Sequence, residues 1–355
     1  MKYNTISKKL LAVGAIAAVL GLASCKSTTT ATSTPSYQIT NLVTDTVGEF
    51  PGTRADQNLI NAWGMAVDNS GNFYIAANNG GDLVVYDANG NQTHGAINVP
   101  SPTGSTGGTP NGVVVNSTTD FGGNIVITST EDGIIAAWKS GTAATVAVNN
   151  SAANTVYKGL AMASSGGKNY LYATDFHNGK IDVFDANFAH AVLAGSFSDG
   201  SIPAGFAPFG IANIGGNIYV TYARQKVGMH DDSAGAGMGY INVFNSDGTF
   251  KTRFTSLGTL NSPAGAALAP AGFGDLKNDI LIPNFGDGTI SAFDASGNLV
   301  GQMKDKSGAI IRIEGLWAVG FVPAGGTSGA DLNTLHFNAG PNEESHGLVG
   351  IIQLK

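Results

Sequence analysis

Apolar residues along this chain fall in short runs with a period of two, with no helical periodicity. Six of these runs share one form, a glycine followed by an alternating strand that tends to close on an aromatic. They read GDLVVYD from Gly81, GIIAAWK from Gly133, GKIDVFD from Gly179, GYINVFN from Gly239, GTISAFD from Gly288 and GLVGIIQ from Gly347. Each follows a second recurrent strand that opens on a small residue, at Gly64, Gly112, Gly159, Gly210, Gly265 and Ala318, with spacings of 48, 47, 51, 55 and 53 residues. A period near 50 with several strands per unit marks a radial β-array, because one such sheet cannot bury both of its faces alone. The pattern predicts an all-β fold, a six-bladed β-propeller over residues 37–355.

The first unit shows how a blade is written: strands over residues 63–67, 72–77, 81–87 and 93–99, with turns at Asp68-Asn69-Ser70-Gly71 and Asp87-Ala88-Asn89-Gly90. These Asp-x-x-Gly turns lack the further oxygen ligands of a calcium loop and read as hairpin turns. In the third strand Leu83 and Val85 point to one side and Val84 and Tyr86 to the other. Both sides are apolar because each blade is covered on both. The small residues of the first strand suit a position crowded toward the axis, and no charged residue falls within that strand on this reading. The last unit has strands at 317–321, 334–337 and 348–354 and then runs out of chain one strand short, while residues 37–44 form a strand with no blade of its own. That segment is expected to complete the last blade, closing the ring without an open edge.

Residues 1–24 read as a signal peptide: Lys2, Lys8 and Lys9 are followed by an apolar run of 14 residues, too short to span a bilayer as a mature helix. The run ends in Leu22-Ala23-Ser24-Cys25, which resembles the lipobox of bacterial lipoproteins, and Cys25 is the only cysteine. The resemblance implies lipidation of Cys25 and a tethered, exported protein of the cell envelope. Lys26, in place of an aspartate that would retain it at the inner membrane, favours the outer membrane. Residues 25–36 form the lipidated end and a tether, in which eight of the eleven residues from Lys26 onward are Ser or Thr. The membrane is thus reached through the lipid alone.

Charged residues make up 12% of the chain, about half the usual share, and glycine, at 50 residues, about twice it. Blades stacked on both sides need few charges, and tight hairpins need glycine. Net charge is −7, and nothing favours nucleic acid. With one cysteine no disulfide framework exists, so ring closure must hold the fold.

A meander places every loop between strands two and three at the same end of the ring as the loops entering strand one. The first set carries Asn78 and Asn79; Glu131 and Asp132; Asp175, His177 and Asn178; Arg224, His230, Asp231 and Asp232; Asn284 and Asp287; Glu343, Glu344 and His346. The second adds Asn61, Asn111, Lys158 and Glu314. Three of the six histidines gather there, and the longest loop, residues 223–238, carries His230-Asp231-Asp232. A loop of that length in a compact domain is usually functional or disordered. Imidazole and carboxylates converging from several blades can ligate a metal or act as base and orienting group. Candidate ligand-binding residues are therefore His177, Asn178, His230, Asp231, Asp232, Asn284, Asp287, Glu314, Trp317, Glu343 and His346. Among them His177, Asp232 and Glu314 are the candidates for a divalent metal such as calcium. Trp63 and Trp317 sit at matching places at the mouth of strand one, to pack between blades or floor a ligand site. No nucleophile elbow, zincin, P-loop or dinucleotide motif occurs, so no motif stands behind enzyme activity.

Asn61-Ala62-Trp63-Gly64, the run from Asp175 to Asp185, Ala207-Pro208-Phe209, the run from Met229 to Asp232, Asn284-Phe285-Gly286-Asp287-Gly288, Gly315-Leu316-Trp317 and the run from Gly340 to Gly347 carry a further likeness. With these motifs the chain resembles a family of uncharacterised secreted bacterial proteins that look like six-bladed propellers related in shape to NHL-repeat proteins. Ala318 departs from the family's glycine after tryptophan. The resemblance implies the fold and the choice of face, and no reaction. The first functional expectation is a membrane-tethered binding module for a small molecule, glycan or envelope protein. The alternative resembles calcium-dependent lactonases of the gluconolactonase type, in which a metal at one mouth of a propeller polarises an ester and activates water. Glu314, Asn284, His177 and Asp232 would serve there, although such enzymes place ligands near the axis, where strand one offers none. A third reading is a scaffold for which loop substitutions are silent.

Overall fold

The computed structural model describes Met1 and residues 36–48, 50, 53–326 and 329–355. The signal peptide, Cys25 and almost all of the tether lie outside the described residues. From residue 36 onward the chain forms six antiparallel sheets arranged as blades. Blade 1 comprises Ala62–Val67, Phe73–Ala77, Asp82–Tyr86 and Gln92–Asn98. Blade 2 comprises Pro110–Val115, Val126–Thr130, Ile134–Trp138 and Thr145–Asn149. Blade 3 has three strands, Tyr157–Ser165, Lys168–Asp175 and Lys180–Phe184. Blade 4 comprises Phe206–Ile214, Asn217–Arg224, Tyr240–Asn245 and Phe250–Ser256. Blade 5 comprises Ala267–Leu268, Ile280–Pro283, Ile290–Phe293 and Leu299–Gln302.

Blade 6 is built from both ends of this unit: Leu316–Gly320, Leu335–Ala339 and Leu348–Leu354 are joined by Tyr37–Thr44. Tyr37 pairs with Leu354 and Thr44 with Leu348, antiparallel, as the unpartnered strand required. The short strand Arg54–Ala55 adds in parallel outside it. Tyr37 also reaches blade 5, its hydroxyl donating to the Phe273 carbonyl at 3.0 Å and its ring lying 4.9 Å from that of Phe273.

The two-sided burial of each blade follows from the alternation. Leu83 and Val85 pack with Val113, Val126 and Ile134 of blade 2, while Val84 and Tyr86 pack with Val43 and Val349 of blade 6. One five-residue strand thus belongs to two cores, and each such side chain contributes on the order of 1.5–3 kcal/mol by leaving water. The outermost strand Gln92–Asn98 is largely exposed and polar.

The small residues of the inner strands have a cause different from the one expected. A Cβ on Gly64 would overlap the Asn111 carbonyl, on Gly112 the Leu160 amide, and on Gly210 the Ala264 carbonyl. The crowding runs sideways, from one blade's backbone to the next, and not inward to the axis. Most inner strands also slip register at this point, between Ala62 and Met65, Pro110 and Val113, Tyr157 and Leu160, and Pro208 and Ile211. Each bulge frees backbone groups that would be costly to leave unpaired. Hydroxyls on the second strand satisfy them. Thr174 Oγ1 accepts from Gly159 N–H at 2.8 Å and donates to the Phe209 carbonyl of blade 4 at 2.6 Å. Thr221 does the same for Gly210 and for Pro263, which leads into blade 5. Close approach and threonine bridging together stitch blade to blade. In blade 5 the inner strand pairs only at Ala267–Leu268, and a Cβ on Gly265 would meet nothing.

A cavity of about 170 Å³ lies on the axis, lined by inner-strand or adjoining residues of all six blades, among them Met65, Val113, Leu160, Ile211 and Val319.

Candidate functional site

The bulge in blade 3 changes the inventory of the axis. It extends that inner strand back to Tyr157, so Lys158 lies within it, buried. The expectation that no inner strand carries a charge is therefore corrected. The ammonium forms an ion pair with Glu131, from the two-to-three loop of blade 2, and stands 3.9 Å from Asp231, from the corresponding loop of blade 4. It also lies 4.8 Å from the centre of the Trp63 ring in blade 1. Glu131 Oε2 accepts from Asn78 Nδ2 at 3.0 Å, so that carboxylate is gripped from two neighbouring blades.

Beside the Lys158 ammonium, packed rings line the axial cavity. Trp63 and Trp317 stack at 3.7 Å, and Phe285 stacks on the other neighbour of the pair, 3.9 Å from Trp317. Phe209 lies 5.7 Å from Trp317. The two tryptophans thus pack between blades and form the floor of the mouth at once.

The long loop, residues 225–239, is anchored despite its length. Gln225 Nε2 donates to the Phe176 carbonyl of blade 3 at 2.6 Å, and Gly235 N–H donates to Asn261 Oδ1 of the next blade's entry loop at 2.7 Å. Asp231 Oδ1 pairs with His230 Nδ1 at 2.8 Å, and both side chains are more than half exposed. Burial pulls the Asp231 carboxyl upward, but the His230 contact and the Lys158 and Lys226 charges outweigh it and leave it below its usual range. Burial pushes Asp232 above that range, against the pull of Ser262, Lys158 and Lys226.

A third carboxylate arrives from blade 6 on a strained segment. Asn342, Glu343 and Glu344 have φ of 54°, 54° and 65°, three consecutive left-handed residues, none of them glycine. Side chains avoid that region at a cost of roughly 1–2 kcal/mol per residue, so the surrounding bonds must impose it. Glu314 Oε1 accepts from Asn342 N–H at 2.9 Å, and Asn79 Nδ2 donates to the Glu344 carbonyl at 2.8 Å. Glu344 is pushed up to about 7, first by burial and then by the charges of Glu131, Asp231 and Asp232, with Lys158 opposing them. The mouth therefore gathers four carboxylates around one buried ammonium.

Other residues predicted for the site are engaged elsewhere. Asn284 is fully buried, its Nδ2 donating to Thr289 and Ser291 hydroxyls at 3.1 Å and its Oδ1 accepting from Asn261 N–H at 3.0 Å. Asn178 staples its own turn through Asp175, Nδ2 to Oδ2 at 2.7 Å. Asp287 accepts from Thr289 and faces Arg312 at 3.8 Å. His346 Nδ1 lies 2.9 Å from Asp45, at the end of the closing strand. Glu343 is exposed, and half-buried His177 lends its backbone carbonyl to Gln225. Of the metal candidates, His177, Asp232 and Glu314 do not converge. Among the described residues the one group of metal-ligating side chains within mutual reach is Glu131, His230 and Asp231, whose ligand atoms lie within 4.8 Å of one another. Lys158 already stands against two of the three.

An uncharacterised protein of Acanthamoeba polyphaga mimivirus is 35% identical over 335 residues, covering 89% of this chain and 80% of the relative. A second uncharacterised protein of the same virus is 33% identical over 315 residues, covering 83% and 80%. The chain belongs to their family. No family model matches it. Among solved structures, a protein of unknown function from Bacteroides thetaiotaomicron superposes with a TM-score of 0.58 at 11% identity, over 90% of this chain and 76% of that one. The soluble aldose sugar dehydrogenase of Escherichia coli does so at 0.55 and 14%, over 89% and 99%. The calcium-binding protein regucalcin of Agrobacterium tumefaciens reaches 0.52 at 14%, over 82% and 90%. Identities this low speak for the shared propeller fold alone. The six-bladed propeller expected from sequence is thereby supported, while the relatives that define the family are viral.

Sequence reasoning placed Glu131, Lys158 and Glu344 on the right face but singled out none of them. The one available signal for Lys158 was its position two residues after Val156, next to the glycine that opens the inner strand. Only the bulge turns that neighbour of the strand into part of the axis.

Proposed function

We propose that this protein is a binding module of the cell envelope, held at a membrane, the outer one by the Lys26 criterion, through lipid on Cys25, and that its ligand sits at the mouth bearing the two-to-three loops. The carrying observation is the buried Lys158 ammonium, clamped between carboxylates from two other blades over the Trp63 face. Burying charges is costly and rarely the best route to stability, so such clusters gather where function needs them. In a chain with so few charges, this concentration at one end of the ring supports recognition there. The tether rests on the leader segment alone. Fold neighbours are as different as a sugar dehydrogenase and a calcium-binding protein, so the propeller itself selects no chemistry.

The test is a thermal-shift screen of small molecules and glycans, with a pull-down of envelope proteins, on residues 27–355 and on Asp232→Asn. A ligand that stabilises the parent chain and not the variant supports the reading. Silent loop-face variants with no ligand would favour a pure scaffold. The alternative, a metal-dependent hydrolase of lactonase type, draws on the Glu131, His230 and Asp231 group and on a Glu344 carboxyl able to exchange a proton near pH 7. It ranks second because Lys158 competes for the same carboxylates. Stoichiometric metal in purified protein, lost on His230→Ala, would reverse that order.

A further inference from the structure

We infer that the mouth takes an organic cation with several separated N–H donors, a guanidinium or a diamine, and that Lys158 fills one lobe of this site as a built-in copy of such a ligand. This deepens the binding proposal and rests on it.

Lys158 shows what the mouth can hold. Its ammonium has a carboxylate partner in Glu131, a second carboxylate at 3.9 Å in Asp231, and an aromatic face at 4.8 Å in Trp63. Ion pairing and cation–π contact in a buried setting are the recognition chemistry of organic cations.

One lysine leaves the mouth short of positive charge. Asp232 is 6% exposed, and the neutral Ser262 hydroxyl is the donor that tempers it, with no cation at ion-pair distance among the described residues. Glu344 feels the charges of Glu131, Asp231 and Asp232, which Lys158 opposes. Lys226, on an exposed stretch of the long loop, tempers Asp231 and Asp232. An anion would add to this excess, and a neutral sugar would leave it unchanged.

The spacing separates an organic cation from a metal ion. Calcium gathers six to eight oxygens at about 2.3–2.6 Å. Neither Asp232 nor Glu344 belongs to a convergent group of ligand atoms, and the group that does converge has Lys158 against it. Carboxylates spread across a mouth suit a ligand whose charge is spread as well, each N–H reaching a different one.

The experiment is titration calorimetry with agmatine, putrescine, calcium chloride and a neutral disaccharide on residues 27–355. Agmatine or putrescine should bind saturably at one site, with affinity falling at least about fivefold in Asp232→Asn and in Glu344→Gln. Asp294→Ala, at the far end of the ring, should bind as the parent does. As a second measure, ethylammonium should raise the thermal midpoint of Lys158→Ala and not that of the parent, because only the truncated variant has an open lobe. Failure of both cations to bind, unchanged binding in both carboxylate variants, or no ethylammonium effect on Lys158→Ala would overturn the inference. Calcium or disaccharide binding that is lost in these variants would overturn it too while leaving the mouth a binding site. No binding by any probe, with no hit in the wider screen, would remove both.

Discussion

The two ends of the ring use the same residue types in opposite ways. At the turn end, the hairpin aspartates Asp87 and Asp294 serve their own turns, whereas Asp120 accepts from Asn169 of the next blade and Asp279 is pushed up by burial. Asp87 Oδ1 accepts from Asn89 and Asn91 N–H at 2.8 Å, and Asp294 Oδ1 accepts from Ser296 and Asn298 N–H at 2.8 and 3.0 Å. The Asp294 carboxyl is held below its usual range chiefly by the Asn298 side chain, and that of Asp247 chiefly by Thr249. At the mouth, Asp232 and Glu344 are pushed the other way, by burial first. A carboxylate that answers its own turn stabilises local structure and is finished. One that is desolvated among its like retains unmet affinity for positive charge.

The largest break in this comparison should come from Lys158→Met. Removing one partner of a buried ion pair costs about 3–5 kcal/mol, which for a domain of this size lowers the thermal midpoint by roughly 6–10 °C. The loss should be greatest near pH 8 and shrink toward pH 5, as the stranded carboxylates take up protons. Calorimetry that gave the same loss at both pH values would show that Lys158 acts by packing and not by charge.

Each end also carries a desolvated titrating group, Glu344 half-buried and His336 buried, and the two should slope in opposite directions. Glu344 is raised from 4.5 to about 7. Its native form favours the proton, so the destabilisation from ionising it is absent below the ordinary carboxyl range, grows as pH rises and is complete above 7. Glu344→Gln should therefore raise the midpoint by roughly 2–4 °C at pH 8 and leave it unchanged at pH 4.5. At the turn end, His336 is buried, stacks 4.1 Å from Phe73 and lies 3.2 Å from the Ala88 carbonyl. Burial lowers it from 6.5 to about 4. Its contribution is present above 6.5 and lost as pH falls toward 4, so His336→Phe should flatten that acid limb, by a comparable few degrees. Melting curves at half-unit pH steps would read both slopes.

The smallest effect belongs to the turns. Asp87→Ala should lower the midpoint by at most about 1–2 °C, equally at pH 6 and pH 9, since surface substitutions seldom exceed ±0.5 kcal/mol by much. A pH-dependent change in ligand binding from that variant would erase the distinction between the two ends.

The blades were readable because strand alternation and glycine spacing are local signals repeated six times, and closure followed from one unpaired strand at each end of the unit. The face was readable because a meander fixes which loops share an end. The identity of the central charges was not. Lys158 enters the inner strand only through a bulge, and a bulge depends on the threonine of the second strand and the carbonyl of the next blade. Glu343 and Glu344 look alike in sequence, but a left-handed turn held by Glu314 and Asn79 exposes one and half-buries the other. Asn284 has the same difficulty in reverse: a loop position suggested a ligand, and three hydrogen bonds make it a brace.

The closing strand Tyr37–Thr44 also sets a clock. Its partner Leu348–Leu354 is made roughly three hundred residues later, and at about 5–20 residues per second the ribosome needs on the order of 15–60 s to supply it. Throughout that interval an emerging strand carries an unmet edge, while the first blades can already stack without it. Arrival of the last strand thus converts an open arc of blades into a ring, and any chain that stalls before Leu348 leaves Tyr37–Thr44 and Leu335–Ala339 each with a sticky edge that the closed ring pairs.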